Sequence, residues 1–194
     1  MKPDSYIYNR KIIRLKGYDY SRAGSYFVTI CTRNHESFFG IILDGEMHFN
    51  DVGLIATECW MGLSQRFSAV SLDGFVFMPN HLHGIINILD DQGVINNSSI
   101  NRTPTLGMVV RSFKALASRK IRLSGKDEFG WQRNYYEHII RNEDSLKYIL
   151  EYIISNPLRW ELDRENPDWK GEDEFDRWLN SDKLIRDKSG RDKS

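Results

Sequence analysis

The chain alternates between short β-rich runs and longer stretches with helical spacing. Tyr26 to Thr32 (YFVTICT) is aromatic and β-branched, the composition of a strand. Val70 to Phe77 and His81 to Leu89 form two further strand-like runs, joined by the turn residues Pro79 and Asn80. Between the first strand and this pair, Asn50 or Asp51 can cap a helix over 51–66, with Leu54, Ile55, Cys59, Trp60 and Leu63 on one stripe. A second helix is predicted over 105–123, with Val109, Phe113, Leu116 and Ile121 inward. A third opens near Asn142, has Glu143 and Asp144 in its first turn where the helix dipole favours acids, and stops at Asn156 before Pro157. The polar segment 1–22 reads as an extended lead-in, and 90–104 reads as a loop rich in Asn, Ser and Gly.

The order strand, helix, strand, strand, helix predicts an α+β fold, a ferredoxin-like antiparallel sheet with helices on one face. The 194 residues fit one main domain over 1–160 followed by an acidic extension over 161–194. The extension either packs as a helix around 172–185 or is partly disordered. No apolar run reaches the roughly 18 residues of a spanning helix, and the start lacks a secretory apolar core. Two cysteines, Cys31 and Cys59, are too few for a disulfide framework. Together these features predict a cytoplasmic protein with no membrane partner.

Charge sharpens the picture. The formal net charge is zero, yet residues 1–160 carry +3 and residues 161–194 carry −3. Residues 101–126 hold Arg102, Arg111, Lys114, Arg119, Lys120, Arg122 and Lys126 and no acid, a local patch of the kind that attracts phosphates. On the second helix Arg111, Lys114, Ser118 and Arg122 share the face opposite the apolar stripe. The alternative for such a run is a solvated helix face.

Chemistry concentrates at His81-Leu82-His83. Side chains two apart on a strand share a face, so both imidazoles converge while Leu82 points to the core. Neutral imidazoles in such a pair can ligate a metal, or they can simply be polar residues on a solvated face. On the third helix Tyr148, Tyr152 and Asn156 recur at i+4 and share one side. The Asn156 amide oxygen would complete an N,N,O half-shell suited to Mg2+ or Mn2+, with Zn2+ also compatible with imidazole.

YFVTICTRN, VFMPNHLHGIIN, TLGMVVRSFKALASRKI and WQRNYYEHIIRNEDSLKYILEYIISNPLRW carry a resemblance over roughly residues 6–160. The sequence resembles the REP-associated tyrosine transposases, single-tyrosine members of the HUH (His-hydrophobic-His) endonucleases. The resemblance implies that His81 and His83 are the metal-binding pair, Tyr152 the nucleophile and Asn156 the third ligand. It also implies a metal-dependent endonuclease and strand transferase of single-stranded hairpin (REP-like) DNA, working through a 5′-phosphotyrosine intermediate and acting in DNA transposition or recombination near the nucleoid. Tyr135 and Tyr136 are rival nucleophiles beside His138, but they precede the helix and lack an Asn one turn onward.

Arg111, Lys114, Arg119, Arg122 and Arg141 are the expected phosphate contacts, and Trp131, Tyr135 and Tyr136 are the candidate base-stacking aromatics, or alternatively core. With one nucleophile per chain, two concerted cleavages call for a homodimer or two successive rounds. The competing expectation is a domesticated module that binds hairpin DNA or RNA without cutting.

Overall fold

The computed structural model describes residues 22–89, 103–169, 171, 174–179 and 181. The lead-in over 1–21, the loop residues 90–102 with Arg102, and the tail from 182 lie outside these residues. The elements run β1 (Gly24–Cys31), β2 (Gly40–Leu43), β3 (Glu46–Phe49), α1 (Asp51–Met61), α2 (Leu63–Arg66), β4 (Val70–Met78) and β5 (His81–Ile88). They continue as α3 (Leu106–Leu123), β6 (Tyr136–Ile140) and α4 (Glu143–Ser155). Single 3-10 turns occupy Arg33–His35 and Pro157–Leu162.

Each long helix begins at a side-chain cap. Asn50 accepts from the Gly53 amide, Thr105 from Met108 and Asn142 from Ser145. Such caps satisfy amides that no helical turn can reach, and each contributes about 1 kcal/mol. The sequence placed these starts within a residue; α1 stops earlier than expected, at Met61, and the short α2 follows over Leu63–Arg66. Leu54, expected inward, is exposed, and Val52 and Ala56 fill the core instead.

The main sheet is antiparallel throughout, in the order β4–β5–β1–β6. This is the expected α+β class and ferredoxin-like order. α1 and α3, the two helices of that plan, share one face as expected. α4 departs from the expectation: it lies on the other face. The reason is strand alternation. Tyr26, Val28, Ile30, Leu82 and Ile86 pack with Trp60 of α1 and with Val109, Phe113 and Ile121 of α3. Phe27 and Ile85, one step out of phase, pack with Ile149, Tyr152 and Ile153 of α4. Two glycines allow the close approach: a Cβ on Gly84 would stand 2.5 Å from the Trp60 ring, and one on Gly74 would stand 2.5 Å from Leu150.

Two elements went unread in the sequence. β2 and β3 form a separate hairpin through Asp44 and Gly45, both at positive φ, the geometry that an Asp-Gly turn favours. β6 pairs with β1 and completes the sheet. No helix of the described residues is long and apolar enough to cross a membrane.

Candidate active site

β5 lies inside the sheet between β1 and β4, so His81 and His83 are held on both flanks and are 0% and 3% exposed. Their ring centroids lie 4.4 Å apart, on the α4 face, as the period of two requires. Each ring is fixed by its second nitrogen. The Asn80 amide nitrogen donates to the carbonyls of His35 and Glu165 at 3.1 and 2.6 Å, which turns Asn80 Oδ1 toward His81 Nδ1 at 2.8 Å. Because Oδ1 only accepts, Nδ1 carries the ring proton and Nε2 faces the site. His83 Nδ1 meets Thr29 Oγ1 at 2.9 Å, leaving its Nε2 on the same side.

α4 brings Tyr152 to this point. Its Oη stands 3.2 Å from His83 Nε2, and its ring lies between His83 (centroids 5.1 Å) and Phe175, stacked at 3.6 Å. The chain then turns at Pro157 through the 3-10 segment, which returns Asp163 to the cluster. Asp163 Oδ2 accepts from Tyr152 Oη at 3.3 Å and from Asn156 Nδ2 at 2.9 Å, and lies 3.5 Å from the Nε2 of each histidine. Its other oxygen accepts from the Glu165 amide at 2.7 Å. From the sequence Asp163 reads only as part of the acidic extension, one of three alternating acids (Glu161, Asp163 and Glu165) after the Asn156-Pro157 break.

Electrostatics follow from this burial. Desolvation, helped by the neighbouring His81, lowers the His83 pKa to about 4, so its imidazole is neutral at neutral pH. Burial alone would raise the Asp163 carboxyl, but the facing imidazoles, His81 foremost, hold it well below the ordinary carboxylate value. The result is a buried anion facing a neutral His83 imidazole. His81 Nε2 and Asn156 Oδ1 are buried and have no hydrogen-bond partner among the described residues. Unsatisfied buried acceptors cost free energy unless a cation occupies them. His81, His83 and Asp163 present their donor atoms within 4.8 Å of one another, a group that can hold a metal ion. Imidazole nitrogens with carboxylate and amide oxygens form a set that suits Mg2+, Mn2+ or Zn2+.

The structure therefore brings together His81, His83, Tyr152 and Asn156. It does not bring the expected nucleic-acid contacts to them. Arg111, Arg119 and Arg122 are exposed on α3, across the sheet from the histidines, and Arg141 is exposed just before α4. Lys114 is turned inward and donates to the carbonyls of Gln132 and Asn134, both at 2.8 Å. Trp131 packs with Phe39, Phe113 and Phe129, and its indole N–H donates to the Lys114 carbonyl. Tyr135 and Tyr136 are half-buried on opposite faces of the sheet. The described part of the tail, expected as a helix around 172–185, is helical over 174–179 and packs Phe175 and Leu179 beside Tyr152 and Ile149.

No protein-family model matches the chain. An uncharacterized protein of Haemophilus influenzae is 44% identical over 168 residues, covering 81% of this chain and 93% of that one. Among solved structures, a REP-associated tyrosine transposase bound to a REP hairpin is similar, with a TM-score of 0.51 at 18% identity. The match covers 74% of this chain and 72% of that one. The fold thus agrees with the resemblance that the motifs carry.

Proposed function

We propose that this chain, which belongs to one family with the Haemophilus influenzae protein and has the fold of a REP-associated tyrosine transposase, is a metal-dependent single-stranded DNA endonuclease and strand transferase that acts on hairpin DNA. One observation carries the reading: the Tyr152 hydroxyl lies within 3.3 Å of both His83 Nε2 and Asp163 Oδ2. A helix phenol, two strand imidazoles and a carboxylate are gathered at one buried point. Hairpin DNA as the substrate class rests on the solved relative, which holds a REP hairpin.

His81, His83 and Asp163, with the Asn156 amide oxygen, would hold the cation. A bound Mg2+ or Mn2+ supplies Lewis-acid polarisation of a phosphate and eases loss of the phenol proton. Tyr152 Oη attacks phosphorus, forming the Tyr–O–P bond as the bond to the 3′ oxygen breaks and that oxygen takes a proton. The phosphodiester energy is retained in the covalent intermediate, so a free 3′-OH can reverse the step. Asp163 is an anion of low basicity. It therefore aims the phenol O–H and leaves the proton to solvent near the cation. Exposed Arg111, Arg119 and Arg122 lie across the sheet from Tyr152, so they would meet backbone phosphates away from the cleaved bond, at roughly 0.7 log units of affinity per log unit of salt for each phosphate on a single strand.

A second reading, hairpin binding without cleavage, is favoured by the cover over the nucleophile. Tyr152 is 8% exposed beneath the stacked Phe175 ring. A labelled single-stranded hairpin incubated with the full chain and Mn2+, with and without EDTA, separates the two. Cleavage yields a protein–DNA adduct that survives denaturation, is lost with EDTA and is absent from Tyr152→Phe, which still binds the hairpin. An adduct from Tyr152→Phe contradicts the nucleophile. Binding by the unaltered chain with no adduct supports the second reading.

A further inference from the structure

A second group of metal-ligating side chains stands beside the first. Cys31 ends β1, His35 lies in the 3-10 turn Arg33–His35, and Glu165 comes from the segment after α4. They are 5%, 7% and 6% exposed, and their donor atoms lie within 4.8 Å of one another. We propose that Cys31, His35 and Glu165 form a second divalent-cation site, selective for a thiophilic ion such as Zn2+, that fastens the segment carrying Asp163 to the end of β1.

The distances favour this. Glu165 Oε2 lies 3.3 Å from His35 Nδ1 and 3.6 Å from Cys31 Sγ. A tetrahedral Zn2+ with ordinary bond lengths separates a nitrogen and an oxygen ligand by about 3.4 Å, and a sulfur and an oxygen ligand by about 3.6 Å. Both recorded separations from Glu165 thus match those of zinc ligands. Charge also balances, since a dication with a thiolate, a carboxylate and a neutral imidazole sums to zero, the condition a buried site requires. Three protein ligands leave the fourth position for water. The thiolate makes this set softer than the all-nitrogen-and-oxygen cluster at His81 and His83, so the two sites would sort different ions.

The backbone is bent to supply one of these ligands. Asn34 and His35 adopt φ of 55° and 56°, consecutive left-handed conformations that residues with a Cβ disfavour. Asn80 holds the result in place, donating to the carbonyls of His35 and Glu165 while its oxygen orients His81. Asp163 and Glu165 are two residues apart, and the Glu165 amide donates to Asp163. Filling the second site thus fixes the strand of chain that completes the first.

The same contacts also suit a metal-free trio in which thiol and imidazole donate to Glu165, and Co2+ distinguishes the two. Titrating Co2+ into full-length protein stripped of metal by a chelator should produce an intense near-ultraviolet thiolate-to-cobalt absorption that plateaus at one thiolate-bound Co2+ per chain and is abolished by added Zn2+. His81→Ala and Cys59→Ser should keep that band, and Cys31→Ser should lose it. Co2+ uptake by the unaltered chain without the band would overturn the proposal, whatever the variants do. A band that survives in Cys31→Ser and disappears in Cys59→Ser would overturn it as well.

Discussion

The two faces of the main sheet are built from the same strands and do different work. Toward α1 and α3, Leu82, Ile86, Tyr26 and Val28 meet Trp60 and Phe113, whose rings pack edge to face at 5.3 Å. Toward α4, the neighbouring positions give His81 and His83, which meet Tyr152 and Asp163, and Thr29, which holds the His83 ring. One face is an apolar core. The other places a hydrogen-bonded polar cluster inside the sheet, where each donor and acceptor must find a partner or an ion. A step of one residue along β5 therefore separates what holds the molecule together from what it can do.

Substitutions on the two faces should break this contrast in opposite ways. His83→Ala should lower hairpin cleavage by several orders of magnitude while the chain stays folded, checked by adduct yield beside a thermal melt. A fall in the melt matching the loss of cleavage would mean that His83 is mainly structural. On the other face, Phe113→Ala should cost about 3–5 kcal/mol of stability, because it removes a buried ring from against Trp60 and Trp131. Urea denaturation measures it, and cleavage by the fraction still folded should be unchanged.

Asp163→Asn sharpens the polar side. It keeps the shape and removes the charge, so Mn2+ affinity should fall about 10- to 100-fold, read by titration calorimetry. Equal affinity would remove Asp163 from the proposed ligands.

A pH-dependent effect on stability concerns Lys114, a basic residue that the apolar face has taken inward. Burial lowers its pKa from 10.5 to about 8. Between those values the unfolded chain keeps this proton and the folded chain releases it. Stability relative to Lys114→Met should therefore rise as pH increases from 8 to 10.5, followed by denaturation midpoints of both proteins. A pH-independent difference would mean that the Lys114 ammonium titrates normally despite its burial.

Much of this contrast was legible in the sequence. His-Leu-His on a strand states its own parity, and the i+4 step from Tyr152 to Asn156 put both on the helix that covers the histidines. β6 was missed because Tyr136–Ile140 is only five residues long and carries Glu137 and His138 in its middle, so it lacks the apolar run of the other strands. The hairpin at 40–49 carried one, Asp44-Gly45, that was not used. Asp163 was invisible for a different reason. Its role depends on where the chain returns after Pro157, a tertiary fact, and by sequence its charge is only one among those of the acidic extension. The basic helix erred in the opposite direction: spacing identified its polar face but not that Lys114 folds back onto the carbonyls of Gln132 and Asn134.

The most direct measurement is to map the adduct. Full-length protein reacted with a single-stranded hairpin and Mn2+, then digested and sequenced by mass spectrometry, should carry its nucleotide on Tyr152 alone. A nucleotide on Tyr135 or Tyr136, or cleaved DNA with no tyrosine modified, would contradict the central claim that the phenol beside His83 is the nucleophile.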